Sequence, residues 1–241
     1  MASIAADARA NLTQDRIFFL AMALWIAATV LAGFGFAFAM GRSSLAAPLW
    51  VHMHALTYAG WVGFYLLQNM LVSAGAVARH RALGWLGFGI ATWMLPVGIG
   101  ATCLSVAAHR VPPFFTPSFF LTLDLITPIT FYIFVTAAIG LRQYADWHRR
   151  LMLSGMIFLT GPAWGRLLPM PLLGGEAGIW AILAAQLIFY FGIAAGYDLL
   201  SRRKIHPAYF WGMGGSVIAV ALVGPVSSLP LVASWVGALA G

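Results

Sequence analysis

Of the chain's 241 residues, 62% are hydrophobic and only 8% are charged, with a formal net charge of +7. Soluble domains carry about a quarter charged residues, so this composition excludes one and points to a membrane protein. The positive charge is scattered over loops rather than clustered on an exposed domain, which excludes a nucleic-acid interface. A single cysteine, Cys103, excludes an internal disulfide framework and a cysteine-based zinc site.

The first sixteen residues are polar and mixed in charge (Asp7, Arg9, Asp15, Arg16) and read as a cytoplasmic tail. The run that follows is too long for the apolar region of a cleaved signal peptide, and so reads as a retained first span. With about 20 apolar residues needed per crossing, seven spans fit, at roughly 17–40, 48–74, 83–107, 114–141, 150–169, 176–200 and 208–228. Residues 229–241 are an apolar tail that either extends the last span or lies on the surface. The fold class is therefore all-α, a single polytopic bundle of about seven transmembrane helices in a lipid bilayer.

Lys and Arg decide the orientation. With the N-terminus inside, one side holds Arg9, Arg16, Arg79, Arg81, Arg142, Arg149, Arg150, Arg202, Arg203 and Lys204, and the other holds only Arg42 and Arg110. The positive-inside rule then sets the topology, with a cytoplasmic N-terminus and the C-terminus on the opposite, periplasmic face.

Pro96, Pro128 and Pro162 fall inside consecutive spans. Each lacks an amide hydrogen and frees the carbonyl four residues before it, at Thr92, Asp124 and Phe158. Small residues at four-residue spacing (Gly33, Ala37 and Gly41; Gly87 and Ala91; Gly212 and Ser216; Gly215 and Ala219) mark helix contacts.

Asp124 is the one carboxylate deep inside an apolar run. At that depth a carboxylate costs several kcal/mol unless neutralised or paired, which makes it a candidate functional group. The second span carries another pattern. From His54, the residues at +4, +7, +11 and +14 are Tyr58, Trp61, Tyr65 and Gln68, each within about 40° of His54 around the helix. That is a polar and aromatic ladder about 21 Å long, expected to face the bundle interior. His52 falls on the opposite face. A weaker ladder in the sixth span runs through Gln186, Tyr190 and Tyr197, with Asp198 at its end beside Arg202 and Arg203 as a salt-bridged anchor.

Counting inward, His54 lies about 9 Å, Asp124 about 15 Å and Arg166 about 6 Å from the outer boundary. The three are expected to share the outer half of one chamber, lined also by Gln186 and Tyr190. Arg166 either pairs with Asp124 or reaches for the headgroups.

A membrane b-type haem needs imidazoles from different helices at matching depth. His54 with His109 on the outer side, or His80 with His148 on the inner side, would meet that condition. A zinc site from His54, His109 and Asp124 lacks metal-binding spacing, and none is expected. Flanking basic residues also suit His80, His148 and His206 to a plain interfacial role. Retinal attachment is excluded, since the sole lysine, Lys204, is in a loop. Nucleophile and phosphate-loop motifs are absent.

The stretches Arg79-His80-Arg81-Ala82-Leu83-Gly84 and His148-Arg149-Arg150-Leu151-Met152, continuing through Ser154 to Arg166, resemble a family of bacterial multi-helix membrane proteins without an assigned activity. Its pattern is a histidine near the outer end of one span, a His-Arg-x-x-Gly loop, and a His-Arg-x-x-Met helix start closing on an arginine. His54, His80, Gly84, His148, Met152, Ser154 and Arg166 occupy those positions. The resemblance covers roughly residues 48–168 and departs at Arg81-Ala82, where the family often has two basic residues. It implies a layout like helical b-type cytochromes, and thereby haem b.

These readings converge on a protein that holds a b-type haem or a quinone-like redox ligand against the ladder, with His54 and His148 the foremost histidines. The rivals are a proton-coupled small-solute carrier working through Asp124 and Arg166, and an accessory subunit whose ladder only specifies packing.

Overall fold

The structure, a computed structural model, describes residues 2–168 and 176–241. Among them are nine helices and no strand: α1 (Ala2–Ala39), α2 (Leu49–Ser73), α3 (Val77–Ala107), α4 (Pro117–Gly140), α5 (Ala145–Leu159), α6 (Gly161–Leu167), α7 (Glu176–Arg202), α8 (Pro207–Ser227) and α9 (Pro230–Ala240). Five stretches are long and apolar enough to cross a membrane: Leu12–Ala39, Val77–Ala107, Pro117–Gly140, Ala177–Arg202 and Pro207–Ser227. The 25-residue α2 has the length and contains no Asp, Glu, Lys or Arg, but its polar stripe keeps its mean hydropathy below theirs.

Three boundaries differ from expectation. The single span at 150–169 is divided at Thr160, and its end at Pro169 lies outside the described residues. Pro162 cannot donate to the Phe158 carbonyl, and the Thr160 hydroxyl and amide both turn back to the Ile157 carbonyl at 2.7 and 3.1 Å, closing α5 early. The N-terminal residues are helical and continuous with the first span, since α1 runs from Ala2. The 229–241 tail is a helix of its own, α9, which starts at Pro230 and packs Val232 against Val106 and Leu121. Pro96 and Pro128, by contrast, lie within α3 and α4 without ending them.

Helix α5 is the centre. Eight of its fifteen residues are buried, so it is covered on nearly every side, the condition of a core helix rather than a surface one. Around it the main core gathers Ile26 of α1, Trp61 of α2, Met94 of α3, Phe131 of α4, Tyr190 of α7 and Tyr209 of α8. Close approach depends on small residues. A Cβ at Gly33 would stand 2.5 Å from the Ala163 carbonyl oxygen, and one at Gly212 would collide with the Ser154 hydroxyl.

The helices alternate in direction, and their polar groups sort to two ends. One end joins Asp15 to Arg202, Gln68 to His80 and Arg150 to Asp198. The far end joins Arg42 to the Arg166 carbonyl.

Candidate functional site

The ladder lies as its spacing requires. Trp61, Tyr65 and Gln68 are buried, while the other side of α2 exposes Leu49, Met53, Leu56, Leu67 and Met70. His54 stacks on Tyr58 with ring centroids 4.3 Å apart. The Tyr58 hydroxyl donates to the Met94 carbonyl of α3 at 3.1 Å, a contact open only because residue 98 is glycine: a Cβ there would overlap the tyrosine oxygen. The Trp61 indole donates to Met156 Sδ of α5 at 3.1 Å and meets Phe131 of α4 edge-on at 5.3 Å. Three helices therefore close on α2 along one line.

Asp124 falls on the same face of α4 as the buried Pro128, Phe131 and Val135, and so looks inward. It acts electrostatically on Tyr58 and on Arg166, and Arg166 in turn on His54. At the far end, Asp124 of α4 thus lies within electrostatic reach of Tyr58 and Arg166, and Arg166 of α6 within reach of His54. Asp124 and Arg166 are not an ion pair, since no oxygen–nitrogen distance between them falls within 4.0 Å. The guanidinium lies over Phe34 of α1 at 4.2 Å and donates to the Pro162 carbonyl at 2.8 Å. Asp124, partly accessible, has no hydrogen-bond partner among the described residues.

At the opposite end the ladder terminates in a pair of imidazoles. Gln68 Oε1 lies 2.7 Å from His80 Nδ1. His148 Nδ1 lies 2.8 Å from the carbonyl of Ala138, one of the last carbonyls of α4 and without a helical partner of its own. The two rings face each other edge-on, centroids 6.1 Å apart and planes at 72°.

Other expected members are elsewhere. His109 is not near His54: it is the left-handed residue (φ 51°) that ends α3, twelve residues or about 18 Å of rise beyond Val97, the residue that faces His54. There it lines a cavity of about 240 Å³ with Val106, Phe115 and Val236. Gln186 and Tyr190 are buried, and their hydrogen bonds run to partners outside the Asp124 group. Gln186 Oε1 accepts from the Thr160 hydroxyl at 3.0 Å, and Tyr190 shares a 2.8 Å hydrogen bond with Thr29 of α1. His54 and His148, the two histidines ranked first, stand at opposite ends of the ladder and do not face one ligand together.

A network ties the imidazole end together, and the expected Asp198 anchor is part of it, bridged to Arg202 at 3.1 Å. Asp15 of α1 binds Arg149 at 2.6 Å and Arg202 at 2.5 Å, while Arg150 binds Asp198. Asp146 contacts Arg149 and Arg150, and the backbone amide of His206 donates to Asp198 at 3.0 Å. Burial alone would raise the Asp146 carboxyl, but Arg149 and Arg150 hold it below the usual carboxylate range. The signal was present in the i,i+4 spacing of Asp146 with Arg150 and of Asp198 with Arg202.

No family model, curated protein or solved structure matches this chain.

Proposed function

We propose that this protein is a membrane-embedded redox protein that holds a b-type haem or a quinone-like ring against the α2 ladder. The observation that supports it best is the continuity of one inward stripe, His54 to Gln68, with ionisable groups from other helices at both of its ends. A flat redox ligand calls for apolar and aromatic walls with few, fixed polar groups, and Tyr58, Trp61, Tyr65 and Phe131 supply that kind of surface. The stripe also links the two ends of the bundle through aromatic side chains, which suits a molecule that passes electrons between its faces.

In this reading α5 and α6 together make one crossing, so the bundle crosses seven times. The end that holds Asp15 and the imidazole pair faces the cytoplasm of a bacterial inner membrane, as its ten Lys and Arg residues favour. The test is an absorbance spectrum of the purified protein together with solvent extraction for quinones. A folded protein that is colourless and free of quinone after haem-replete expression rejects the reading.

Asp124 favours a second reading. An inward carboxylate with neither ion pair nor hydrogen bond is suited to taking and releasing a proton, with Arg166 to hold an anionic group, as in a proton-coupled carrier. Asp124→Asn then abolishes solute uptake into vesicles while the protein still folds, and unchanged uptake removes this reading.

A further inference from the structure

The two imidazoles at the inner end of the ladder are set as ligands rather than as surface histidines. The Ala138 carbonyl can only accept, so His148 must carry its proton on Nδ1 and keep the lone pair on Nε2. The Gln68 amide, as oriented, does the same for His80. A metal-binding histidine is commonly fixed in this way, its second nitrogen donating to a carbonyl or carboxylate that sets the tautomer and the ring plane. Both acceptors come from structure that the fold holds firmly, a buried glutamine on α2 and the C-terminal turn of α4.

The separation matches as well. Two imidazoles bonded to one ion from opposite sides at about 2.0–2.1 Å, the usual metal–imidazole distance, have their centroids about 6 Å apart. The observed value is 6.1 Å. Rings held in this tautomer coordinate through Nε2 without displacing a proton.

The geometry points to His80 and His148 as the two axial ligands of a single transition-metal centre, the iron of a haem b. This assignment rests on the redox reading above and names the ligand for it. Two protein ligands suffice for haem, since the macrocycle supplies the other four, whereas a bare ion in a protein site generally takes three or more. Among the described residues no three His, Cys, Asp or Glu side chains converge as such a site would need. The charges agree: Arg81 acts on His80 and Arg142 on His148, an environment that repels a bare cation and suits the two carboxylates of a haem. Both rings are partly exposed, so the macrocycle would enter from the bundle surface.

The experiment uses full-length protein, purified in detergent after haem-replete expression, with absorbance, electron paramagnetic resonance and metal analysis. The wild type should show a six-coordinate low-spin haem. With imidazole planes near 72° apart, its ferric signal should be strongly anisotropic. His80→Gly and His148→Gly should each lose that signal, and free imidazole should restore it, which a merely structural histidine would not allow. Gln68→Leu should weaken haem retention about 10–100-fold through loss of ring positioning. His52→Ala should leave the spectrum unchanged.

A metal other than haem iron, bound at one per chain and lost in both glycine variants, overturns the haem assignment. A haem spectrum that survives both glycine variants overturns the assignment while the redox reading stands, as does a colourless protein that retains a quinone. A folded wild type with neither haem, metal nor quinone overturns both.

Discussion

Arg150 Nη2 lies 2.5 Å from Asp198 Oδ1 with both side chains fully buried, and Arg150 Nε reaches the second carboxylate oxygen at 3.1 Å. This two-pronged pair joins the central helix to α7. Removing Arg150 leaves the buried Asp198 with only Arg202 at 3.1 Å and the His206 amide to offset its charge, so Arg150→Met should cost about 3 kcal/mol, the low end for a broken buried pair. Replacing both by apolar residues of similar size should recover most of the loss. Thermal unfolding in detergent measures both, and a double variant no better than the single one would mean that the pair is needed for assembly rather than balance.

The same end of the bundle should respond to acid. Burial first, and then the charge of Arg150, hold the His206 imidazole below its ordinary value. The native state therefore binds a proton less readily than the unfolded chain. Stability should be level above the unfolded value of about 6.5 and should fall as pH drops through it, because only the unfolded state then gains a proton. His206 also caps α8, with Nδ1 accepting from the Ala208 amide at 3.2 Å. His206→Asn keeps an acceptor at that position and removes its titration, so it should lessen the fall in melting temperature between about pH 8 and pH 5. A slope identical to the wild type's would assign the acid response to another group.

Gly98 is where α2 and α3 come closest at the ladder. Gly98→Ala drives the Tyr58 hydroxyl off the Met94 carbonyl and should cost about 1–3 kcal/mol, as overpacking does. Combining it with Tyr58→Phe removes the colliding oxygen and should give back a large part. Chemical denaturation of the single and double variants decides it. Strict additivity would show that the two side chains do not meet.

Asp124 should behave in the opposite way. With no ion pair or hydrogen bond to lose, Asp124→Asn should leave stability unchanged or raise it by about 0.5–2 kcal/mol, the usual gain when a strained functional group is relaxed. A fall in melting temperature would instead assign the carboxylate a structural partner.

The parts of this architecture that follow from periodicity were legible in the residues. One turn of helix per 3.6 residues places His54, Tyr58, Trp61, Tyr65 and Gln68 on a single face, and a membrane bundle must turn such a face inward. The inward aspect of Asp124 follows by the same logic. What periodicity does not carry is which end of one helix meets which end of another. His80 and His148 are 68 residues apart in the chain, and nothing local distinguishes that pair from His54 with His109. The Ala138 carbonyl that orients His148 has no sequence signature, since any residue in a last helical turn offers one. The Arg150–Asp198 pair was obscured for a different reason. Charges at span ends are ordinarily solvated, and only the depth at which α5 sits makes these two buried.

The break at Thr160 has a mechanical consequence. Beyond it, α6 is fastened to the first helix: Gly33 abuts Ala163, Phe34 carries the guanidinium of Arg166, and Arg42 grips the Arg166 carbonyl. α5, on the other side of the break, is riveted to α1 and α7 through Asp15, Arg202 and Asp198. Arg166 is thereby carried by α1 and α6, whereas the imidazole pair stands on α3 and on α5, before the break, so the two ends of the ladder rest on different supports.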